Sequence, residues 1–183
     1  VCPDHKTPCE EVEEENYFFK LSAFQEKLEK LYEERPDFVV PEAKFNEMKQ
    51  LLKSGLEDIS ISRSTKVLKW GIPVPGDDGQ VIYVWFDALV NYISAIGYGE
   101  DDEMMRKYWP ADIHIIGKEI NRFHSVLWPA MLMAAGVKVP QQIGVHGWIT
   151  ANGEKMSKTR GNVLDPFELL SQYGTEPLRY FMM

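Results

Sequence analysis

Apolar residues change their spacing several times along the chain, and each change marks an element. Phe24, Leu28 and Leu31 recur at helical spacing, which predicts a helix from Ala23 to about Glu34 with Ser22 as its N-cap and Arg35-Pro36 as its end. Pro41 suits the first turn of a second helix, in which Phe45, Met48, Leu51 and Leu52 form the apolar face and Gly55 the stop. These helices read as a packed pair without catalytic side chains. Ile59 to Ser62 alternates as a short strand does. The prolines between Lys69 and Gly79 exclude a helix, and Asp78-Gly79 predicts a turn.

From there the pattern alternates. Val81 to Trp85 is a continuous apolar, β-branched and aromatic run, as expected of a buried parallel strand, and it leads into a helix over Phe86 to Ile93. A helix over Asp101 to Tyr108 precedes a strand from Asp112 to Ile116. Gly117-Lys118-Glu119 turns the chain into a long helix from about Ile120 to Ala135, closed by Gly136, before a third strand over Gln142 to Trp148. Strand and helix in this rhythm predict an α/β fold with right-handed crossovers and a parallel sheet. Asp165-Pro166 opens a short helix to about Tyr173, and Thr175-Glu176-Pro177 opens another.

Ligands of such sheets bind beyond the carboxyl ends of the strands. That rule selects Trp85 to Tyr92, Gly117 to Trp128, and the residues from Trp148 onward. His124 and Trp128 fall four apart on one helical face, with Glu119 near the helix start. Aromatic walls and a carboxylate suit a zwitterionic amino acid with a soft, apolar side chain. A buried core cluster is the competing reading. His146-Gly147-Trp148-Ile149 lies at the third strand end, where a purine could lie against the backbone. Just beyond it, Gly153 to Asn162 makes a cationic loop in which Lys155 and Lys158 could neutralise a departing polyphosphate.

Composition narrows the class. The 183 residues, 44% hydrophobic and 26% charged, are those of a globular protein, and no apolar run approaches membrane-spanning length. The net charge of -8 argues against binding nucleic acid by bulk electrostatics, although Glu10, Glu11, Glu13, Glu14 and Glu15 concentrate much of the negative charge. Two cysteines, Cys2 and Cys9, do not make a disulfide scaffold. Cys2-Pro3-Asp4-His5 has the spacing of half a zinc knuckle, with Cys9 as a third candidate ligand and no fourth nearby. Two unliganded residues at a loop end are the alternative. The absence of an initiator Met and a C-terminus inside an apolar helical run predict that the chain is part of something longer.

Lys155-Met156-Ser157-Lys158-Thr159 resembles the KMSKS signature of class I aminoacyl-tRNA synthetases, with Thr159 for the final Ser. Other stretches resemble the methionyl-tRNA synthetases in particular. They are Glu13 to Ser22 (EEENYFFKLS), Ser62-Arg63 with Lys69 to Pro75 (KWGIPVP), and Val84 to Leu89 (VWFDAL). Ile116 to Glu119 (IGKE), Arg122-Phe123-His124, Trp128-Pro129-Ala130, His146-Gly147-Trp148 and Gly161-Asn162-Val163 complete the set in family order. The resemblance spans essentially the whole chain.

It implies the second half of a Rossmann-type parallel-sheet catalytic domain, with part of the connective-peptide insertion and the start of the helical KMSKS (stem-contact) region. The expected segments are 1–20 (end of the connective-peptide and zinc-knuckle region), 21–80 (helical insertion and linker), 81–148 (nucleotide-binding domain) and 149–183 (KMSKS loop and helices). The implied reaction is ATP-dependent activation of methionine and its transfer to the methionine tRNA. Trp85, Ala88, Leu89, Tyr92, His124 and Trp128 would form or adjust the methionine pocket, with Leu89 where some members carry Pro. Glu119, often Asp in the family, would hold the amino group. Gly117, His146, Gly147 and Ile149 would contact ATP, and Lys155 and Lys158 would stabilise its triphosphate, accompanied by Mg2+. Cys2 and His5 would be two ligands of a structural zinc in the intact protein. No HIGH motif occurs in the chain, so activity in isolation is not expected. The resemblance implies a cytoplasmic protein of bacterial type, with the mitochondrial matrix as the alternative, and no membrane partner. The rival readings are another class I synthetase and a non-catalytic binding fragment.

Overall fold

The computed structural model describes residues 8, 13–156 and 161–182. Its contacts divide the chain into two compact units, residues 1–145 and 146–183.

In the first unit, strand β1 (Phe18–Phe19) leads into a 3-10 turn over Leu21–Phe24 and helix α1 (Gln25–Glu34). Strand β2 (Val39–Val40) separates α1 from α2 (Glu42–Lys53). Ser22 does not cap the helix. Its hydroxyl and its N–H both bind Asp58 Oδ1, at 2.6 and 3.1 Å, tying the helix start to the segment before β3 (Ile59–Ser60). Gly55, at φ +86, ends the α2 segment as its sequence position suggested.

Strands β4 (Ser62–Ser64), β5 (Pro73–Val74) and β6 (Asp77–Ile82) form an antiparallel sheet in the order β4-β6-β5. The apolar run over 81–85 is therefore not a parallel strand. It divides between the end of β6 and the start of helix α3 (Val84–Ser94), with Tyr83 at the boundary. Within β6 Val81 alone is buried, so the strand is covered on one face only. The reversal falls at Pro75-Gly76, where Gly76 has φ +83, rather than at Asp78-Gly79, which lies inside β6. There the Asp77 carboxylate accepts from the Gly79 N–H instead of making a chain reversal.

Helix α4 (Asp102–Tyr108) begins at Asp101, whose side chain accepts from the N–H groups of Glu103 and Met104. Strand β7 (His114–Gly117) follows. The parallel sheet has the order β2-β8-β7, β8 being Ile143–His146. β2 and β8 run parallel, with Val39 opposite Ile143 and Val40 opposite Gly144. Its third member is thus β2 and not residues 81–85. The short run Phe38-Val39-Val40, held between two helical patterns, carries the β-branched signal that a helix-pair reading passes over.

The segment after β7 is not a uniform helix. Lys118–Ile120 makes a 3-10 turn, Phe123–Leu127 is π-helical, and helix α5 covers Trp128–Ala134. Pro129 accounts for the π-helical part, because it lacks the N–H that an α-helix needs and its ring crowds the carbonyl four residues back. One core joins Leu28, Leu31 and Tyr32 of α1 to Phe45, Met48 and Leu52 of α2, and both to Ile116, Val126, Ala130 and Ile143. A second joins Leu89 and Ile93 of α3 to Leu127, Trp128, Met131 and Leu132.

The second unit contains a hairpin of β9 (Thr150–Ala151) and β10 (Glu154–Lys155), then helices α6 (Pro166–Tyr173) and α7 (Thr175–Met182). Asn152 (φ 54) and Gly153 (φ 80) form the hairpin turn, both in the left-handed region that such turns require. Asp165 caps α6 by accepting from the Phe167 N–H at 2.8 Å. Among the described residues no helix is long and apolar enough to cross a membrane.

Candidate active site

Helix α3, strand β7 and the π-helical segment meet in a cluster of rings centred on Tyr92. The Tyr92 hydroxyl lies 2.9 Å from His124 Nε2, and His124 Nδ1 lies 3.0 Å from the Ile120 carbonyl oxygen. A carbonyl only accepts, so Nδ1 carries the proton and donates. Nε2 is then the acceptor, and the Tyr92 O–H donates to it. The tautomer follows from the two contacts together. Burial pushes the His124 pKa below the ordinary imidazole value, more strongly than the Ile120 bond raises it, which agrees with a neutral ring.

Three further rings surround this pair. His114 of β7 packs on Tyr92 with centroids 4.2 Å apart, Trp128 lies 6.1 Å from Tyr92, and Trp109 lies 6.0 Å from His114. Trp128, at 1% exposure, packs edge-on against Trp109. Burial, and then the neighbouring His124, push the His114 pKa down to about 4. Trp128 Nε1 and His114 Nε2 are buried without a hydrogen-bond partner among the described residues.

Trp85, at the start of α3, stacks on Phe123 with centroids 4.5 Å apart and planes at 10°. Behind Phe123 a cavity of about 230 Å³ opens, walled by Leu21, Ile59, Phe86, Val126 and Leu127 among others. Ala88 is half-buried. Leu89, at 1% exposure, belongs to the core that also holds Trp128. Glu119 is exposed on the 3-10 turn after β7. Gly117 just before it is extended, with φ -73 and ψ 148, so its backbone conformation does not itself require glycine. A larger cavity, about 590 Å³, is lined by Glu13, Glu14, Glu15 and Asp77 among others, a carboxylate wall unsuited to a polyphosphate.

Chain topology thus brings Trp85, Ala88 and Tyr92 of α3 into the same unit as His124 and Trp128, and contact joins Tyr92 to both of the latter. His114, Trp109 and Phe123 are members that the sequence reading did not single out. For His114 the available signal was a polar residue on the buried face of a strand, where only Ile116 would be expected to face the core. For Phe123 it was a second aromatic beside His124.

In the second unit, Lys155 lies on strand β10 and not in a loop, opposite Thr150 of β9. Its ammonium group sits 4.7 Å from the centre of the Trp148 ring. The Asn162 side-chain amide donates to the Lys155 carbonyl at 3.2 Å, joining the two flanks of the signature segment. A Cβ added to Gly147 would meet nothing within 4 Å, so no packing of the described residues requires glycine there. His146 Nδ1 lies 2.7 Å from the Gly147 carbonyl, and Ile149 is exposed. Lys158, Cys2 and His5 lie outside the described residues. Among the described residues no three His, Cys, Asp or Glu side chains are grouped so as to hold a metal ion.

Comparison with known proteins gives this arrangement its context. The methionine–tRNA ligase of Thermotoga maritima is 56% identical over 182 residues, covering 100% of this chain and 29% of the relative. That of Caldanaerobacter subterraneus is also 56% identical, over 100% of this chain and 28% of its own length. The chain therefore spans less than a third of these relatives. Among solved structures, Mycobacterium tuberculosis methionyl-tRNA synthetase in complex with methionyl-adenylate superposes with a TM-score of 0.86 at 48% identity, over 93% of this chain and 33% of that one. The free form of the same enzyme gives 0.82 at 44% identity, over 93% and 32%. The family model described as tRNA synthetases class I (M) matches residues 2–183, and the chain belongs to that family.

Proposed function

We propose that the chain supplies the methionine pocket and the pyrophosphate-binding lysines of a methionine–tRNA ligase. The observation that carries this reading is the Tyr92–His124 pair, set among Trp128, Trp109 and His114. Both polar atoms of that contact are satisfied by each other. The cluster therefore offers an amino-acid side chain a soft aromatic surface and no spare donor from the Tyr92 hydroxyl. A thioether is polarisable and only a weak acceptor, so it loses little on entering such a surface. The methionyl-adenylate bound by the Mycobacterium tuberculosis relative supports the same ligand here.

In the first step the methionine carboxylate oxygen attacks the α-phosphorus of ATP, and the bond to the bridging oxygen breaks to release pyrophosphate. In the second, a terminal ribose hydroxyl of the methionine tRNA attacks the adenylate carbonyl and releases AMP. Neither step needs a side-chain nucleophile. The protein positions the reactants and stabilises charge. Lys155 and Lys158 would hold the leaving pyrophosphate, with Mg2+ accompanying the triphosphate, and Glu119 the methionine ammonium group. Gly117, His146, Gly147 and Ile149 would receive the nucleotide, and the open space beside Gly147 leaves room for a close approach. Trp85, Ala88 and Leu89 would shape the remaining pocket, Leu89 from within the core. Cys2 and His5 would contribute half of a zinc site.

The parallel sheet fits a partial catalytic domain. β7 ends the order β2-β8-β7 among the described residues, so its outer edge can accept a further strand. We assign residues 1–20, 21–80, 81–148 and 149–183 to the zinc-knuckle end, the helical insertion and linker, the nucleotide-binding domain and the KMSKS region. A bacterial-type cytoplasmic setting fits relatives from bacteria. Methionine-dependent exchange of labelled pyrophosphate into ATP, by a protein carrying this segment joined to its HIGH-motif half, tests the reading. Exchange that does not depend on methionine would contradict it.

A further inference from the structure

The π-helical segment that presents His124 contains a backbone problem, and a residue far away in sequence resolves it. In an α-helix the carbonyl of Ser125 would accept from the N–H of residue 129. Pro129 has no N–H, and its ring crowds that same carbonyl. The helix widens at this point, with the Trp128 N–H reaching back to the Phe123 carbonyl. The displaced Ser125 carbonyl then accepts from the Tyr32 hydroxyl at 2.9 Å, across 93 positions of sequence. Ser125 is fully buried, so its carbonyl must be paired and not left to bulk solvent. Its own hydroxyl is committed to Asn121 Oδ1 at 2.6 Å. Tyr32 is fixed in turn, being 2% exposed and packed between Phe38 at 5.6 Å and Phe45 at 5.1 Å. Its hydroxyl is the part of that ring which packing alone does not explain.

We propose that Tyr32 is a positioning residue of the amino-acid pocket: its phenol stands in for the missing Pro129 N–H and so holds the widened turn that sets His124 against Tyr92. The proposal rests on the functional reading above. His124 precedes Ser125 directly, and its ring must reach Tyr92 and keep the Ile120 contact at once. A buried carbonyl that loses the Tyr32 donor would be relieved most easily by rotation of this turn, which moves His124. Tyr32 touches no proposed ligand, and its effect should therefore appear in methionine binding and not in ATP binding.

The test is a double-mutant cycle of Tyr32→Phe and Pro129→Ala in the full-length enzyme, read by pyrophosphate exchange. Tyr32→Phe keeps the ring and removes the donor. It should raise the KM for methionine about 3- to 10-fold, the value of one buried hydrogen bond, with the KM for ATP changed less than about twofold. Pro129→Ala restores an N–H at the position that would serve Ser125. In that background Tyr32→Phe should change the methionine KM less than about twofold. An unchanged methionine KM, equal changes for methionine and ATP, or an undiminished effect beside Pro129→Ala would overturn the proposal. Wild-type protein without methionine-dependent exchange would instead overturn the functional reading. Amide hydrogen exchange over residues 123–128 still reads the Tyr32 bond in that case, with faster exchange in Tyr32→Phe expected and unchanged exchange contradicting it.

Discussion

The Tyr92 hydroxyl donates to His124 Nε2 at 2.9 Å, and this bond decides what the cluster offers a ligand. It uses the phenolic proton and the imidazole lone pair together. Tyr92→Phe should leave Nε2 a buried acceptor without a donor and weaken methionine binding by about 1–2 kcal/mol, with ATP binding nearly unchanged. Calorimetric titration of each ligand into the full-length variant checks this. Equal losses for both would point to a general disturbance of the fold.

Acid should act on the same cluster through its histidines. His114 titrates near 4 in the folded chain against an ordinary 6.5, and His124 is also depressed, in each case chiefly by burial. The unfolded chain therefore binds more protons across this window. The stability that a neutral His114 contributes is complete above about pH 6.5 and is lost as the pH falls toward about 4, and the depression of His124 acts in the same direction. Urea midpoints measured from pH 7 to 4.5 should fall less steeply in His114→Asn than in wild type. Parallel curves would mean that His114 is not a buried neutral ring.

Leu89 gives a contrast within α3. It is 1% exposed and packs with Ile93, Leu127, Trp128 and Met131 in the core. Leu89→Ala should cost about 2–5 kcal/mol of stability through the cavity it leaves, with a smaller effect on methionine affinity than Tyr92→Phe. Thermal unfolding and methionine titration of the two variants side by side would separate the roles.

Lys158 is expected to act on the leaving group alone. Lys158→Ala should lower adenylate formation about 100-fold or more, as loss of an electrostatic contact to developing charge does, while leaving methionine affinity nearly intact. Pyrophosphate exchange and calorimetry on the full-length variant give the two numbers. A parallel fall in both would remove the residue from that role.

Much of this architecture was legible because local signals agreed with one another. Asp101 and Asp165 stand where capping side chains are expected, and each accepts backbone N–H bonds at its helix start. Failures occurred where two elements share one apolar run or where tertiary contacts override a local preference. Val81 to Trp85 looks continuous because a strand end and a helix start both need apolar residues, and only the partner strands β4 and β5 reveal the boundary. Ser22 has a good capping side chain, but Asp58, distant in sequence, claims it. The Asn152-Gly153 turn was a local signal for a hairpin, obscured by the basic loop that follows. Pro129 was equally visible inside its helical pattern. Its consequence at Ser125 depends on Tyr32 and could not be seen from spacing alone.

The site itself divides in the same way. The strand-end rule and then motif resemblance brought Trp85, Tyr92, His124 and Trp128 forward, and ring contacts join Tyr92 to the last two. His114 entered with the fold, which packs its ring on Tyr92, although strand alternation already set it on the same face as Ile116 with Ile115 opposite.

Selection of methionine by this aromatic cluster is what the proposed function requires. The most direct measurement compares pyrophosphate exchange by the full-length enzyme with methionine, leucine, valine and cysteine under identical conditions. A hydrophobic pocket separates side chains that differ by one methylene by only about 1–3 kcal/mol, so shape and aromatic contact with sulfur must supply the remainder. Methionine should support exchange at least about 100-fold more efficiently, in kcat/KM, than any of the other three. Comparable efficiency with leucine, valine or cysteine would contradict the account.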